Sequence, residues 1–164
     1  MGTKAICPGS FDPVTHGHLD IIRRAARTFD HVVVAILSNP RKQPLFTLQE
    51  RLEMLGEVTS DLPNVSVQSA EGLLVDFVRS QGAHAIVKGL RPIQDFEYEW
   101  QMGMVNRDLD PEIETYFLMS SKEYSYLSSS IVRELAGYGA SLDEHVPPRV
   151  AERLRAKFAS KQKL

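Results

Sequence analysis

The sequence predicts an α/β fold with a doubly wound, parallel, five-stranded sheet. Short apolar runs alternate along the chain with segments whose apolar residues recur at helical spacing. The run at 32–37 is continuously β-branched or aliphatic, as in a parallel strand that is covered on both faces. The first strand leads through a Pro-Gly turn into a helix. Right-handed crossovers between such strands build a sheet with helices on both sides.

Each element follows from a local pattern. Leu19, Ile22 and Phe29 share one face of the first helix. Thr47, with Glu50 three residues later, predicts a capping box at the start of the second helix. The predicted strands are 5–8, 32–37, 65–68, 85–87 and 116–119, and the predicted helices are 16–29, one that begins after Thr47, 73–80, 96–107, 130–136 and 148–158.

The bulk composition limits the class of protein. The chain has 164 residues, the usual length of one domain, and we expect a single domain over 1–164. A net charge of -2 argues against a nucleic-acid or membrane partner that is held by bulk charge. Cys7 is the only cysteine, which excludes a disulfide framework within the chain. We interpret it as a small buried residue of the first strand. No apolar run approaches the roughly 20 residues of a membrane span, so we expect a cytoplasmic protein.

The loop after the first strand carries the main chemical signal. Ligands of parallel sheets bind beyond the carboxyl ends of the strands, where this loop is expected to lie. It runs from Gly9 to His18 and enters a helix whose free N–H groups and dipole favour an anion. Gly17 would let a phosphate approach the backbone, and His18 can donate to a phosphate oxygen. Two alternatives stay open for the His16 and His18 pair: metal binding, for which no further ligands are evident, and capping of the helix.

Other loops at the same edge supply cations and hydroxyl groups. Lys42 follows the second strand, Lys88 and Arg91 follow the fourth, and three serines at 128–130 precede a helix. The alternatives are a solvated loop cation for Lys42 and an ordinary N-cap for Ser130. The chain has no Gly-x-x-x-x-Gly-Lys-Ser/Thr motif and no dinucleotide fingerprint after a strand. Neither a P-loop kinase nor a dehydrogenase is therefore indicated.

Two apolar clusters have a structural explanation. Trp100, Met104 and Leu109 fit one helix face, which indicates a role in the core or in a subunit contact. Leu73 and Leu74 stand at a predicted helix start, a pattern that is typical of core residues.

Several motifs together resemble those of the bacterial phosphopantetheine adenylyltransferases. They are Gly9-Ser10-Phe11-Asp12-Pro13 with Thr15-x-Gly17-His18, Lys88-Gly89-Leu90-Arg91, Asp95-Phe96-Glu97-Tyr98-Glu99 and Tyr124-Ser125-Tyr126-Leu127-Ser128-Ser129-Ser130, and the match covers nearly the whole chain. The resemblance implies a Rossmann-like nucleotidyltransferase fold. It implies that ATP and 4′-phosphopantetheine react to give dephospho-coenzyme A and pyrophosphate, the penultimate step of coenzyme A biosynthesis. It also implies Mg²⁺ with the ATP, a homohexamer, and coenzyme A as a candidate feedback ligand.

The resemblance assigns roles residue by residue. It implies ATP contacts at Ser10, Phe11, His18, Gly89, Leu90, Arg91, Glu99, Tyr124, Ser125, Tyr126, Leu127, Ser128, Ser129 and Ser130. It implies contacts to the pantetheine phosphate or its arm at Ser10, Lys42, Leu74 and Lys88. We expect His18, Lys42 and Arg91 to be catalytic and no residue to ligate a metal. Many family members have Thr in place of Ser10 and Arg in place of Lys88. Because lysine lacks the bidentate fork of arginine, the acceptor phosphate is expected to be held differently here.

The residue types indicate a mechanism without a covalent intermediate. No activated serine, cysteine or carboxylate is evident, so we expect catalysis by positioning and electrostatic stabilisation. His18 would contact the α-phosphate, and Lys42 and Lys88 would orient the attacking phosphate. Arg91, the serine run and Mg²⁺ would hold the β and γ phosphates.

Four other functions are alternatives to this one. They are a nucleotidyltransferase for nicotinate mononucleotide, a cytidylyltransferase, a class I aminoacyl-tRNA synthetase and a non-catalytic nucleotide sensor. The blocks 88–91 and 95–99 favour phosphopantetheine as the acceptor. The chain is too short for an anticodon module, and a sensor has no reason to keep the acceptor cations.

Overall fold

Strands and helices alternate along the chain as predicted. The computed structural model describes residues 2–39, 41–92 and 95–161. None of the helices in these ranges is long and apolar enough to cross a membrane. The elements are β1 (Lys4–Gly9), α1 (His16–Thr28), β2 (His31–Leu37), α2 (Leu48–Val58), β3 (Val65–Ala70), α3 (Leu74–Ser80), β4 (Ala85–Leu90), α4 (Phe96–Leu109), β5 (Glu114–Met119), a 3₁₀ turn (Lys122–Tyr124), α5 (Ser129–Gly137) and α6 (Pro148–Lys161).

The five strands form one parallel sheet in the order β3-β2-β1-β4-β5. Strand β1 pairs with β2 along its length, starting with Lys4 opposite His31, and pairs with β4 at Ala5 and Ile6. The chain therefore winds outward from β1 to β3, crosses back, and winds outward the other way from β4 to β5. Where the strand order reverses, between β1 and β4, the flanking loops separate and leave a crevice at the carboxyl ends of the strands. The predicted fold class is confirmed.

Apolar layers cover both faces of this sheet. Successive residues of β1 point to opposite sides, so Ala5 and Cys7 pack in a larger cluster with α1, α2, α5 and α6. Ile6 packs in a smaller cluster with α3. Fully buried side chains occur on both sides, Ile22 in the larger cluster and Ile86 in the smaller one. The double covering explains why the run 32–37 in β2 is continuously apolar.

The start of α2 is as predicted. The Thr47 hydroxyl accepts a hydrogen bond from the Glu50 backbone N–H at 3.2 Å, and the Glu50 carboxylate accepts one from the Thr47 N–H at 2.7 Å. This reciprocal pair is the capping box that the sequence indicated. It fixes where the segment after β2 turns into the helix.

The start of α5 differs from the prediction. Ser128 is the N-cap, and its hydroxyl accepts a hydrogen bond from the Ile131 N–H at 3.2 Å. Ser130 lies in the first turn of the helix. The interpretation of Ser130 as the N-cap is therefore wrong. Three consecutive serines offer the same hydroxyl, and tertiary packing selects the one that caps.

Much of the surface of α4 is left uncovered by the rest of the described chain. Trp100, Met104 and Leu109 are 54%, 52% and 50% exposed. The alternative that they form part of the core is wrong, and the alternative of a subunit contact stays a prediction. Strand β5, at the edge of the sheet, adds the exposed side chains of Tyr116 and Met119. We call these five residues the α4–β5 surface.

Candidate functional site

A cleft of about 740 Å³ opens at the carboxyl ends of the strands. It lies at the reversal of strand order, between the loop that follows β1 and the loop that follows β4. This is the position at which open α/β sheets bind ligands. The cleft is the candidate active site.

Most of the residues that were predicted to bind substrates line this cleft. They are Ser10, Phe11, His18, Lys42, Lys88, Gly89, Arg91, Glu99, Tyr124, Leu127, Ser128, Ser129 and Ser130. Four others, Leu74, Leu90, Ser125 and Tyr126, are outside the lining. Leu74 packs in the same apolar cluster as Leu37, which does line the cleft. The Tyr126 ring packs edge-on against His145, with 6.2 Å between centroids.

The loop between β1 and α1 has an unusual backbone at Phe11. Its φ is +48°, a conformation that residues with a side chain rarely adopt. The buried Phe11 ring lies edge-on to the His18 ring, with 5.0 Å between centroids. A Cβ atom at Gly9 would be 3.0 Å from the Phe11 ring, so any larger residue there would press against that ring. Tight packing thus holds Phe11 against His18 on the floor of the cleft.

His18 uses one ring nitrogen to cap α1. Its Nδ1 accepts a hydrogen bond from the Thr15 backbone N–H at 2.9 Å, and the Thr15 hydroxyl accepts one from the His18 N–H. Because a backbone N–H can only donate, Nδ1 is unprotonated and the neutral ring carries its proton on Nε2. Burial and, to a lesser degree, the charge of Arg91 lower the pKa of His18 from 6.5 to about 4. The imidazole is therefore a neutral donor at physiological pH.

Two of the cleft cations are held by carboxylates at the amino end of α4, one from its N-cap residue and one from its first turns. Lys88 Nζ lies 2.6 Å from the Glu99 carboxylate. The Arg91 guanidinium donates from Nε and Nη2 to the two oxygens of Asp95, at 2.6 and 3.1 Å, and from Nη1 to the Leu127 carbonyl at 3.0 Å. These bonds use three of the five N–H groups of Arg91. The cations are thus aimed before a substrate arrives, and each retains N–H groups for an anion.

The amino end of α5 forms a wall of the cleft beside the β1–α1 loop. The Ser129 hydroxyl donates to the Pro13 carbonyl at 2.8 Å and fastens the two loops together. The Ser130 hydroxyl accepts a hydrogen bond from Arg133 at 3.2 Å. The positive end of the helix dipole at this wall favours an anion in the cleft.

Lys42 stands apart from the paired cations. It lies on an exposed turn after β2, where its backbone N–H donates to the Asn39 carbonyl at 3.1 Å. Among the residues that the structure describes, none forms an ion pair with its side chain. Lys42 is therefore free to meet an anion at the mouth of the cleft.

Sequence reasoning missed three charged residues of the cleft. Asp12, Arg51 and Arg133 all line it. Asp12 belongs to a motif that was used for the resemblance, but nothing in the sequence shows that its side chain turns back to hold a distant loop. Arg51 and Arg133 lie on helices, where an arginine is ordinarily a solvated surface residue. Arg51 and Arg133 bring the cations in the described lining to five, because Lys42, Lys88 and Arg91 also line the cleft. The lining has three carboxylates, those of Asp12, Asp95 and Glu99.

The described carboxylates of the cleft are all engaged in other bonds. Glu99 and Asp95 pair with Lys88 and Arg91, and Asp12 accepts backbone N–H groups. Within 2–39, 41–92 and 95–161, no three His, Cys, Asp or Glu side chains cluster as metal ligands would. Of the two alternatives left open for His18 besides phosphate binding, capping is observed. Burial raises the pKa of the Cys7 thiol to about 12, which agrees with its interpretation as a structural strand residue.

The chain is similar to known nucleotidyltransferases. Residues 6–135 match the family model described as cytidylyltransferase-like. A phosphopantetheine adenylyltransferase from Symbiobacterium thermophilum is 72% identical, over 97% of this chain and 98% of that protein. Another, from Caldanaerobacter subterraneus, is 58% identical, over 94% of this chain and 96% of that protein. Among solved structures, a bifunctional NMN adenylyltransferase/ADP ribose pyrophosphatase from Francisella tularensis, complexed with AMP and a Mn ion, matches with a TM-score of 0.69. That match covers 95% of this chain and 49% of that one at 18% identity, and it concerns the fold alone.

Proposed function

This chain belongs to the phosphopantetheine adenylyltransferase family, and we propose that His18, Lys42 and Arg91 are the catalytic residues of its reaction. The enzyme transfers the adenylyl group of ATP to 4′-phosphopantetheine, giving dephospho-coenzyme A and pyrophosphate. The observation that carries the residue assignment is the convergence of four separate loops on one cleft at the reversal of strand order. The cleft carries an excess of cations, which suits two anionic substrates.

The reaction needs positioning more than it needs an activated group. An oxygen of the acceptor phosphate attacks the α-phosphorus of ATP, a new P–O bond forms, and the bond to the leaving pyrophosphate breaks. The attacking oxygen already carries negative charge, so the protein has no proton to remove. Two anions must instead be held in line while charge grows on the α-phosphate and the leaving group.

We assign the α-phosphate contact to Nε2 of His18. A neutral donor suits this task because its proton stays on Nε2 throughout the working pH range, fixed there by the Thr15 N–H on the other nitrogen. The donor is aimed before the substrate binds, so no reorganisation is needed as charge develops.

We assign the acceptor phosphate to Lys42 and Lys88. Lys88 reaches that phosphate by sharing its ammonium N–H groups between the ligand and Glu99, which already accepts one of them. Glu99 in this arrangement orients Lys88, and its ATP contact stays a prediction that rests on the resemblance. The contact of Leu74 with the pantetheine arm is also a prediction, supported by its packing beside Leu37 of the cleft.

Arg91 and the amino end of α5 are assigned to the β and γ phosphates. Arg91 keeps two N–H groups beyond those used by Asp95 and Leu127, and the serines at 128–130 add hydroxyls beside a helix dipole. Mg²⁺ enters with ATP as part of the substrate. Because the described carboxylates of the cleft are occupied, phosphate oxygens and water would supply its ligands.

Acceptor specificity provides the direct test. Pyrophosphate release is measured with ATP and Mg²⁺ against 4′-phosphopantetheine, nicotinate mononucleotide and choline phosphate in parallel, with a sample that lacks acceptor as the blank. We expect turnover only with 4′-phosphopantetheine. Equal turnover with nicotinate mononucleotide would contradict this function. Coenzyme A contains the product with one more phosphate, so we also expect it to compete for the cleft in the same assay.

We further propose that the enzyme works in the cytoplasm as a homohexamer. The uncovered α4–β5 surface supports self-association, because exposed large apolar side chains are concentrated on these two elements and large exposed apolar areas mark association sites. The buried, unpaired Cys7 suits a reducing compartment.

A further inference from the structure

Asp12 is a buried carboxylate at the edge of the cleft whose two oxygens both serve another loop. Its side chain is 10% exposed. Oδ2 accepts a hydrogen bond from the Leu45 N–H and Oδ1 accepts one from the Phe46 N–H, each at 2.9 Å. Asp12 belongs to the loop after β1, whereas Leu45 and Phe46 end the segment between β2 and α2. The carboxylate therefore joins two loops that lie more than 30 residues apart in sequence.

The segment that Asp12 holds is the one that carries Lys42. Residues 41–44 are exposed, and Phe46 is the first buried side chain after them. Lys42 itself is held only by the turn to Asn39 among the described backbone contacts. The position of the Lys42 ammonium over the cleft thus depends on the anchor three residues further on.

Two arginines hold the loop that carries Asp12. Arg133 donates to the Asp12 carbonyl, and its guanidinium lies 3.7 Å from the Asp12 carboxylate. Arg51 donates to the Ser10 carbonyl at 2.9 Å. The loop that holds ATP is therefore bonded to α5 on one side and to α2 on the other. A shift of Asp12 would move the Lys42 segment relative to the ATP site.

We propose that Asp12 is a positioning residue for the acceptor half of the reaction. It ties the Lys42 segment to the loop that binds the nucleotide, so that the attacking phosphate and the α-phosphorus stay in line. The inference rests on the proposed role of Lys42. It assigns to Asp12 no contact with either substrate.

Asp12→Asn tests the proposal with little change of shape. An amide has one accepting oxygen, so one of the two N–H groups loses its partner and faces an NH₂ group. We expect the KM for 4′-phosphopantetheine to rise about 10-fold to 100-fold, because a misplaced Lys42 would lose its proposed hydrogen bond to the charged acceptor phosphate. We also expect kcat to fall. The Kd for ATP, measured without acceptor, should stay within about twofold.

Asp110→Asn is the matched control. Asp110 is also a buried carboxylate, 9% exposed, that accepts a backbone N–H, from Glu112, and pairs with an arginine, Arg79. It is outside the lining of the cleft. We expect this variant to melt at a lower temperature with both substrate constants unchanged. If Asp12→Asn instead moves the ATP Kd and the acceptor KM by the same factor, or moves neither, the proposal is wrong.

A double-mutant cycle separates this inference from the function on which it rests. If Asp12 acts through Lys42, then Asp12→Asn should add little to the acceptor KM of Lys42→Ala. A Lys42→Ala variant with normal acceptor KM would refute the role of Lys42 itself. Independent effects of the two substitutions would refute only the role of Asp12. Hydrogen exchange of the wild-type protein needs no variant to fold: fast exchange at both the Leu45 and Phe46 amides would show that the anchor is absent.

Discussion

At the scale of single residues, His18 shows how a side chain that caps a helix can keep a donor for a ligand. The sequence left capping and phosphate binding as separate interpretations of this residue. The structure makes them compatible, because Nδ1 accepts the Thr15 N–H and Nε2 keeps a proton for a ligand. The cap also fixes which nitrogen carries that proton. The proposed donor role of the ring would therefore depend on its structural role as a cap.

His18→Ala is expected to lower kcat about 10²-fold to 10³-fold, the usual effect of removing one preorganised donor to a developing charge. The KM for ATP should change much less, and the lost cap should cost only about 1 kcal/mol of stability. Glu50→Ala is the matched control, because it deletes the same position of the capping box on α2. We expect it to melt lower with normal kcat. Steady-state kinetics and thermal melts decide, and a fully active His18→Ala enzyme would end the catalytic assignment.

The lowered pKa of His18 predicts a pH dependence of stability. The folded protein holds this ring neutral down to about pH 4, whereas an unfolded histidine takes up a proton near 6.5. Between these two pKa values the unfolded state binds more protons than the folded state. The contribution of His18 to the free energy of unfolding is therefore complete above pH 6.5 and is lost as the pH falls toward 4. We expect the wild type to lose free energy of unfolding faster than His18→Gln on acidification. Ring ¹⁵N NMR should show unprotonated Nδ1 at pH 7, and a ring that titrates near 6.5 in the folded protein would contradict the prediction.

At the scale of elements, the sequence predicted which segments are strands and helices better than where they end. The spacing of apolar residues that marks a helix or a strand is a local property of the sequence, and so is the Thr47 capping box. Strand β4 was expected to end at residue 87 but continues to Leu90, because Lys88 and Gly89 stay paired with Phe117 and Leu118 of β5. That pairing is tertiary, and no local pattern contains it. The same holds for the salt bridge between Lys88 and Glu99, which depends on how α4 lies against β4.

The close contact between β4 and α1 predicts how adding one methyl group at Gly89 would change stability. A Cβ atom at Gly89 would lie 2.8 Å from Cγ1 of the buried Ile21. Gly89→Ala should therefore destabilise the protein by about 1–3 kcal/mol, as overpacking does, and should lower activity because α1 carries His18. Gly56→Ala is the control, since Gly56 lies in α2 with no atom within 4 Å of its added Cβ. We expect that substitution to stabilise the helix by up to about 1 kcal/mol. Chemical denaturation measures both, and equal effects would contradict this account.

At the scale of the whole molecule, the cleft is assembled by topology from loops that are far apart in sequence. The rule that ligands bind at the carboxyl ends of parallel strands was enough to predict that Ser10, His18, Lys42, Lys88 and Arg91 share one edge. It could not predict which of them would be paired with carboxylates. Nor could it predict the anchor between two loops, because such bonds depend on side-chain directions that only the folded chain defines.

The α4–β5 surface leads to a prediction about assembly. Trp100 and Met104 stand four residues apart on one face of α4, each about half exposed, next to an edge strand. Association would bury this face, so we expect light scattering to give a mass near six times the 18.4 kDa of one chain. Trp100→Glu should dissociate the assembly, because a charge at the centre of an apolar contact loses its hydration without gaining a partner. Tyr138→Glu is the control, since that ring is 84% exposed at the end of α5 and is not part of this surface. A wild-type species of 18.4 kDa would refute the hexamer, and an intact assembly of Trp100→Glu would place the contact elsewhere.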